Sequence, residues 1–165
     1  MQAQVHEPRL IDLTVHVDDR GCLYEVVHNY ELPWDLETLK ENEVPKSHRF
    51  GQCYIVEDPA PFTIRAFHRH KVLWDYFCIV HGRAVFCLVS PDKKVGKRLV
   101  LDAKKPQLLV VPPGWYHGWM SLVPGTILLS VGSELYNREN PDEERVPFDS
   151  FDRIFGGNPW EIRPR

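Results

Sequence analysis

Short apolar runs separated by turn residues dominate the chain. The runs are rich in Val, Ile, Leu, Phe, Tyr and Trp, and signals such as Asp58-Pro59, His81-Gly82 and Pro124-Gly125 divide them. Runs that recur at a spacing of roughly ten residues are typical of a β-sandwich or barrel. The pattern therefore predicts an all-β protein with strands over 23–28, 50–56, 62–68, 74–80, 84–89, 97–101, 107–111, 118–122 and 126–132.

Residues 35–42 break the strand pattern. They contain good helix formers without Gly or Pro, and Asp35 is suited to cap a helix start, so we expect a short surface helix. No internal repeat or low-complexity linker divides the chain. This predicts a single domain over residues 1–165.

Composition and charge exclude several classes of protein. The chain is 43% hydrophobic and 26% charged, which is ordinary for a globular protein. The longest apolar run, 108–113, is too short to cross a bilayer. With 20 basic against 23 acidic residues and no basic block, nucleic-acid binding is not expected. The first ten residues lack an apolar signal segment, so we expect a cytoplasmic protein.

The four cysteines, Cys22, Cys53, Cys78 and Cys87, stand singly without a C-x-x-C pair. This spacing favours neither a disulfide framework nor a zinc ribbon. We expect all four to be buried free thiols.

Candidate chemistry is concentrated in two segments. His68 and His70 are two residues apart, so an extended strand places both side chains on one face. Asp75 follows at the start of another predicted strand, and His117 comes after the Pro-Pro-Gly turn at 112–114. The pattern H-x-H-x4-D-x6-G followed by P-x-G-x2-H resembles the two signature motifs of the cupin superfamily, with Asp in place of the usual Glu.

The cupin resemblance implies a double-stranded β-helix, a jelly-roll-like barrel. Its mouth would hold a divalent metal on His68, His70, Asp75 and His117. This mixed nitrogen and oxygen set suits Fe, Mn, Ni, Co or Zn. The alternative is a hydrogen-bonded polar cluster that binds no metal. Phe62 and Ser121 replace the Gly and Asn of the usual motifs, but neither of those is a ligand.

A narrower resemblance extends along most of the chain. The sequence resembles the dTDP-4-dehydrorhamnose 3,5-epimerase family, a branch of the cupins, in its opening segment 18–25, in Phe50-Gly-Gln52, in Arg65-Ala-Phe-His68, in 111–119, and in Phe148-Asp149 followed by Trp160.

This second resemblance implies an isomerase of nucleotide-linked 4-keto-6-deoxy sugars, without an organic cofactor, that pairs as a homodimer through its N-terminal strands. His68 would be the base, oriented by Asp149. Arg20 would hold the diphosphate, because the guanidinium matches phosphate oxygens. The remaining substrate-binding residues would be Gln52, Arg65 and His117.

Two positions depart from the epimerase pattern. Asp75 replaces a lysine, and Ser130 replaces the tyrosine acid. A divalent ion would restore the lost positive charge, with Asp75 as its ligand. His68 cannot then be ligand and base through the same nitrogen. Proton transfer would pass to another group, for which a water on the ion, Ser130, Tyr136 and Tyr116 are candidates, with Tyr136 preferred as the catalytic residue.

Three functions remain open on the sequence. The first is a nucleotide-sugar epimerase or isomerase, metal-assisted or not. The second is a metal-dependent cupin oxygenase or other small-molecule enzyme, and the third is a catalytically silent sugar-binding cupin.

Overall fold

The computed structural model describes residues 6–27 and 51–162. Within these ranges the chain forms twelve strands and one short helix. The elements are β1 (Arg9–Asp12), β2 (Val15–Asp18), β3 (Gly21–Tyr24), β4 (Gln52–Asp58), β5 (Ile64–Arg69), β6 (Asp75–His81), β7 (Arg83–Val89), β8 (Gly96–Asp102), β9 (Gln107–Val111), β10 (Tyr116–Ser121), β11 (Thr126–Gly132), β12 (Glu144–Arg145) and α1 (Asp152–Phe155).

Ten of these strands form two antiparallel sheets. One sheet has the order β1-β9-β6-β11-β4, and the other has the order β12-β5-β10-β7-β8. Strands β2 and β3 pair only with each other among the described strands, as a separate hairpin. The prediction of an all-β cupin barrel is confirmed.

The main core lies between the two sheets. Alternate residues of a strand face opposite sides, so inward positions of both sheets meet in one layer. Phe77 and Phe86 face each other there with ring centroids 5.6 Å apart. This inner core also contains the buried side chains Ile79, Leu88, Leu101, Leu109, Val111, Trp115, Trp119 and Leu128.

Both sheets are covered on their outer faces as well. Phe67 on β5 packs against Phe151 and Trp160 of the C-terminal segment. On the first sheet, Tyr76 and Val110 pack with residues near β1. Because β6 is covered on both sides, its sequence is an apolar run rather than an alternating one.

Most predicted strands are found close to their expected bounds, including 107–111 and 126–132, which match β9 and β11. The strand predicted over 62–68 begins later, at Ile64, because Phe62 adopts φ 63 in a turn. The predicted helix over 35–42 lies outside the described residues. In the described ranges, no helix has the length and apolar character needed to cross a membrane.

Candidate active site

Three histidines meet where β5 and β10 lie side by side. His68 on β5 pairs in register with His117 on β10, and His70 follows at the end of β5. The next residue of β10, Gly118, permits this approach, because a Cβ at that position would lie 2.3 Å from the Cβ of Ala66. The absence of a side chain at Gly118 therefore brings the two histidine strands close together.

The ring nitrogens of these histidines converge on one point with Asp75. The Nε2 atoms of His68 and His117 are 3.0 Å apart, and one ligand atom from each of the three histidines lies within 4.8 Å of the others. Oδ2 of Asp75, at the start of β6, lies 3.2 Å from Nε2 of His117 and 3.6 Å from Nε2 of His70. All four predicted metal ligands are thus in one cluster.

Backbone carbonyls determine the tautomers of two histidines. Nδ1 of His70 lies 2.5 Å from the carbonyl of Asp142, and Nδ1 of His117 lies 3.1 Å from the carbonyl of Trp115. A carbonyl only accepts hydrogen bonds, so Nδ1 carries the proton in both rings. Where these rings are neutral, their Nε2 lone pairs face the cluster, and in the metal-free protein His68 is then the donor in its hydrogen bond to His117.

The cluster suits a cation. Oδ2 of Asp75 is buried, yet it accepts no hydrogen bond within the part of the chain that the structure describes. A buried carboxylate oxygen without a partner is costly, and here the lone pairs of His70 and His117 point at the same place. A divalent metal would satisfy the carboxylate and the imidazoles together, so these residues fit the metal that the cupin motifs imply.

His68 is neutral at physiological pH. Burial lowers the pKa of its imidazole strongly, and His117, His70 and Arg145 lower it further. A neutral imidazole can bind a metal or accept a proton.

The cluster lies in a cavity of about 630 Å³ between the sheets. The cavity wall is apolar at Phe77, Phe86 and Leu128. Polar side chains outside the cluster also line it, namely Gln52, Tyr54, Arg65, Tyr136, Glu143 and Arg145. A volume of this size and a mixed lining are typical of small-molecule sites.

Arg65 reaches the cavity while held by a buried carboxylate. Its Nε and Nη2 donate to Oδ1 of Asp58 at 2.9 Å and 2.7 Å. Asp58 is fully buried, whereas the Arg65 side chain is 49% exposed. The pairing orients the guanidinium towards the cavity, where it remains accessible to a ligand.

Two predicted site residues lie elsewhere. Arg20, in the turn of the β2–β3 hairpin, is 86% exposed and pairs with Asp18 rather than lining the cavity. Asp149 is exposed before α1, on the side where Phe67 packs, and within the described chain it forms no hydrogen bond to His68. The structure therefore does not bring Asp149 to His68.

The three hydroxyl side chains that the sequence suggested for proton transfer lie in different surroundings. Tyr116 packs in the outer cluster and donates to Glu144 at 2.6 Å, so it faces away from the cavity. Tyr136 lines the cavity, with its hydroxyl 3.3 Å from Glu143. Ser130 is fully buried and pairs in register with Tyr54 on β4.

Tyr54 is a cavity residue that the sequence analysis missed. It is 43% exposed, and no family motif marked it. Burial raises the pKa of its phenol. The hydroxyl of Ser130 lowers this pKa, whereas the negative charges of Asp75 and Glu143 raise it further. The phenol is consequently protonated at neutral pH. Its register with Ser130 is the signal that identifies it, and this register is visible only in the structure.

Known proteins resemble the chain in sequence and in fold. No model of a known protein family matches it. It is 30% identical to the probable low-salt glycan biosynthesis epimerase Agl13 of Haloferax volcanii, over 88% of this chain and 89% of that protein. It is 34% identical to the spore coat polysaccharide biosynthesis protein SpsL of Bacillus subtilis, over 93% of this chain and 94% of that protein.

Two solved structures share the fold at low sequence identity. ChmJ, a 3'-monoepimerase from Streptomyces bikiniensis in complex with dTDP-quinovose, has a TM-score of 0.71 at 16% identity, over 92% of this chain and 74% of that one. QdtA, a sugar 3,4-ketoisomerase from Thermoanaerobacterium thermosaccharolyticum in complex with TDP, has a TM-score of 0.66 at 20% identity, over 93% and 98%.

A two-sheet barrel with histidines converging inside its cavity defines a cupin enzyme. Within that class, the chain belongs to the dTDP-4-dehydrorhamnose 3,5-epimerase-like family of epimerases and isomerases. The resemblance read from the sequence is confirmed.

Proposed function

We propose that the protein isomerises a nucleotide-linked 4-keto-6-deoxy sugar by removing and returning a proton beside the keto group. The observation that carries this proposal is the cluster of His68, His70, Asp75 and His117 inside a cavity with a polar, tyrosine-containing lining. Agl13 is a probable epimerase and ChmJ is a 3'-monoepimerase, and their similarity to this chain supports the reaction class. QdtA, a ketoisomerase, supports the related reaction in which the keto group changes position.

The four residues of the cluster would hold a divalent metal. A metal bound there would act as a Lewis acid on the sugar carbonyl, in place of the missing lysine. His70 and His117 present lone pairs that are already oriented by backbone carbonyls. Asp75 supplies the negative charge that a divalent metal favours.

His68 would be a ligand rather than the base. Its Nε2 lies 3.0 Å from that of His117, inside the cluster. Replacing His68 by Asn should lower metal affinity. As a base alone, the same change would leave metal content intact and lower kcat by about 100- to 10,000-fold. A metal-replete His68→Asn variant with a dead chemical step would contradict the ligand assignment.

Tyr54 would donate a proton to the enolised sugar. It lines the cavity from β4, in the sheet opposite the strand of His68, and its raised pKa keeps the phenol protonated. This position, in register with Ser130, would compensate for the family tyrosine that Ser130 replaces. Tyr136, nearer Glu143, is the second group available for this role.

Proton exchange tests the proposal directly. A dTDP-4-keto-6-deoxy sugar incubated with the protein in deuterated water should gain mass at C3 or C5, because an enolised carbon takes its new hydrogen from solvent. An oxygenase would instead consume dissolved oxygen without this exchange. Oxygen consumption without mass gain would overturn the proposed reaction class.

The Tyr54→Phe variant tests the proton donor. Removing the donor should lower the yield of inverted product by about 100-fold or more, since proton transfer by a positioned side chain contributes on that scale. Deuterium should still enter at the enolised carbon from the original face. Tyr24→Phe, on the β2–β3 hairpin, is the matched control. Equal loss of exchange and inversion would exclude Tyr54 as a donor that acts after enolisation.

The N-terminal hairpin supports a homodimer. All residues of β2 are exposed, and Val17 and Leu23 are 76% and 61% exposed. A two-stranded hairpin with apolar exposed faces is marginal by itself, so a second copy would cover it. Arg20 would contact a substrate diphosphate only where such a partner brings it to a cavity.

A further inference from the structure

Asp142 joins the loop before β12 to the turn that follows β5. Its Oδ1 accepts a hydrogen bond from the backbone N–H of Lys71 at 3.1 Å. Its Oδ2 accepts from the N–H groups of Val72 and Leu73 at 2.9 Å and 3.0 Å. Residues 71–73 belong to no strand, so their N–H groups have no partners in a sheet ladder. One carboxylate therefore holds the conformation of the whole turn.

The main chain of Asp142 acts on the same part of the site. Its carbonyl oxygen lies 2.5 Å from Nδ1 of His70. This contact places a proton on Nδ1 and leaves Nε2, which lies 3.6 Å from Oδ2 of Asp75, as the nitrogen that can bind a metal in the neutral ring.

The turn held by Asp142 also connects two members of the cluster. It begins after His70 and leads to Asp75, and both are buried. Its conformation sets the separation of the imidazole and the carboxylate. A metal site tolerates little error in that separation, because bond lengths to the ion vary by only a few tenths of an ångström.

We propose that Asp142 is a positioning residue that fixes the tautomer and direction of His70 and the span from His70 to Asp75. The inference deepens the proposed function and rests on it for the role of the cluster. Asp142 itself contacts neither the other two histidines nor the carboxylate of Asp75 within the described part of the chain. It acts through His70 and through the turn.

A purely structural clamp would stabilise the turn without affecting the cluster, and Asp92 provides the matched control. Asp92 accepts hydrogen bonds from the Ser90 hydroxyl at 2.6 Å and from the Lys94 N–H at 3.2 Å, in the turn between β7 and β8. It does not line the cavity. Asp92→Ala thus removes a comparable cap from a turn outside the site.

Two measurements on Asp142→Ala and Asp92→Ala separate these roles. Nitrogen-15 NMR of the histidine rings in the metal-free protein should show His70 protonated at Nδ1 in the wild type and in Asp92→Ala. In Asp142→Ala the backbone carbonyl at position 142 is retained but is no longer anchored by the side chain to residues 71–73, so the spectrum should show a mixture of tautomers. Titration with Co²⁺ should show affinity about 10- to 100-fold weaker in Asp142→Ala, as expected for loss of a group that orients a ligand.

The proposal is overturned if Asp142→Ala retains the wild-type tautomer of His70 and also the wild-type Co²⁺ affinity. If Asp142→Ala does not fold, Asp142→Asn takes its place, because the amide retains the shape and one acceptor oxygen of the carboxylate. The NMR measurement needs neither metal nor substrate. Failure of wild-type protein to bind Co²⁺ would count against the metal in the proposed function, and the tautomer alone would then decide the role of Asp142.

Discussion

His70 and Asp75 should be required for metal binding, because each supplies a buried ligand atom to the cluster and Nδ1 of His70 is already held by the carbonyl of Asp142. Purified wild-type protein should contain about one divalent metal per chain, and His70→Ala or Asp75→Ala should remove it. Elemental analysis of gently purified protein measures this. His81→Ala is the control, because His81 binds the Gly125 carbonyl in a surface turn. Wild-type protein without metal, and without thermal stabilisation on adding metal, would contradict the prediction.

The cysteines should divide into two reactive and two unreactive thiols. The expectation that all four are buried is wrong, because Cys22 and Cys53 are exposed. Burial raises the pKa of Cys78 to about 11 and of Cys87 to about 12. Only the thiolate reacts, and at pH 8 a thiol of pKa about 11 is ionised in roughly one molecule in a thousand.

A thiol reagent should therefore label two cysteines of the folded protein quickly and the other two only after unfolding. Cys78 and Cys87 should remain unlabelled in the folded protein even when the pH is raised from 7 to 9. Peptide mapping assigns the labelled positions. Rapid labelling of Cys78 in folded protein would show that its strand opens locally.

Strands β5 and β10 depend on Gly118 for their close approach. Replacing Gly118 by Ala would place a Cβ 2.3 Å from that of Ala66, so the strands must separate. Overpacking of this kind costs about 1–3 kcal/mol in the free energy of unfolding. Because His117 precedes Gly118, metal affinity should fall together with stability.

The Gly125→Ala variant separates the effect on stability from the effect on metal affinity. Gly125 adopts φ +69 in open space, so the change strains the backbone without displacing a neighbouring atom. Denaturant unfolding should show a loss of stability in both variants, and metal titration should show weaker binding in Gly118→Ala only. Weaker binding in both variants would mean that global stability, rather than strand spacing, controls the site.

Turn residues in the sequence located most strands correctly. The strands that were missed or misplaced have physical causes. β1 and β2 were not predicted, because they are four-residue strands with many exposed positions and have no long apolar run. The start of β5 was misplaced because Phe62, an apolar residue, occupies a turn with positive φ. Residue type does not reveal such a backbone conformation.

The metal cluster was predictable as a set, whereas its supporting residues were not. His68, His70 and Asp75 are close in sequence, and strand periodicity places the two histidines on one face. Asp142 acts on residues about 70 positions away, partly through its backbone carbonyl, which has no sequence signature. Tyr54 could not be identified in advance, because its place beside Ser130 follows from the register between β4 and β11, which is visible only in the structure.

The exposed β2–β3 hairpin would make the thermal stability of this molecule depend on more than one chain if it is a dimer interface. If a second copy covers Val17 and Leu23, unfolding also separates two chains, and the law of mass action then raises Tm with protein concentration. Calorimetry over a hundredfold range of concentration should show this rise, and Val17→Lys should abolish it. A Tm independent of concentration would indicate a monomer. A melting temperature of this protein would therefore have a meaning only together with the protein concentration at which it was measured.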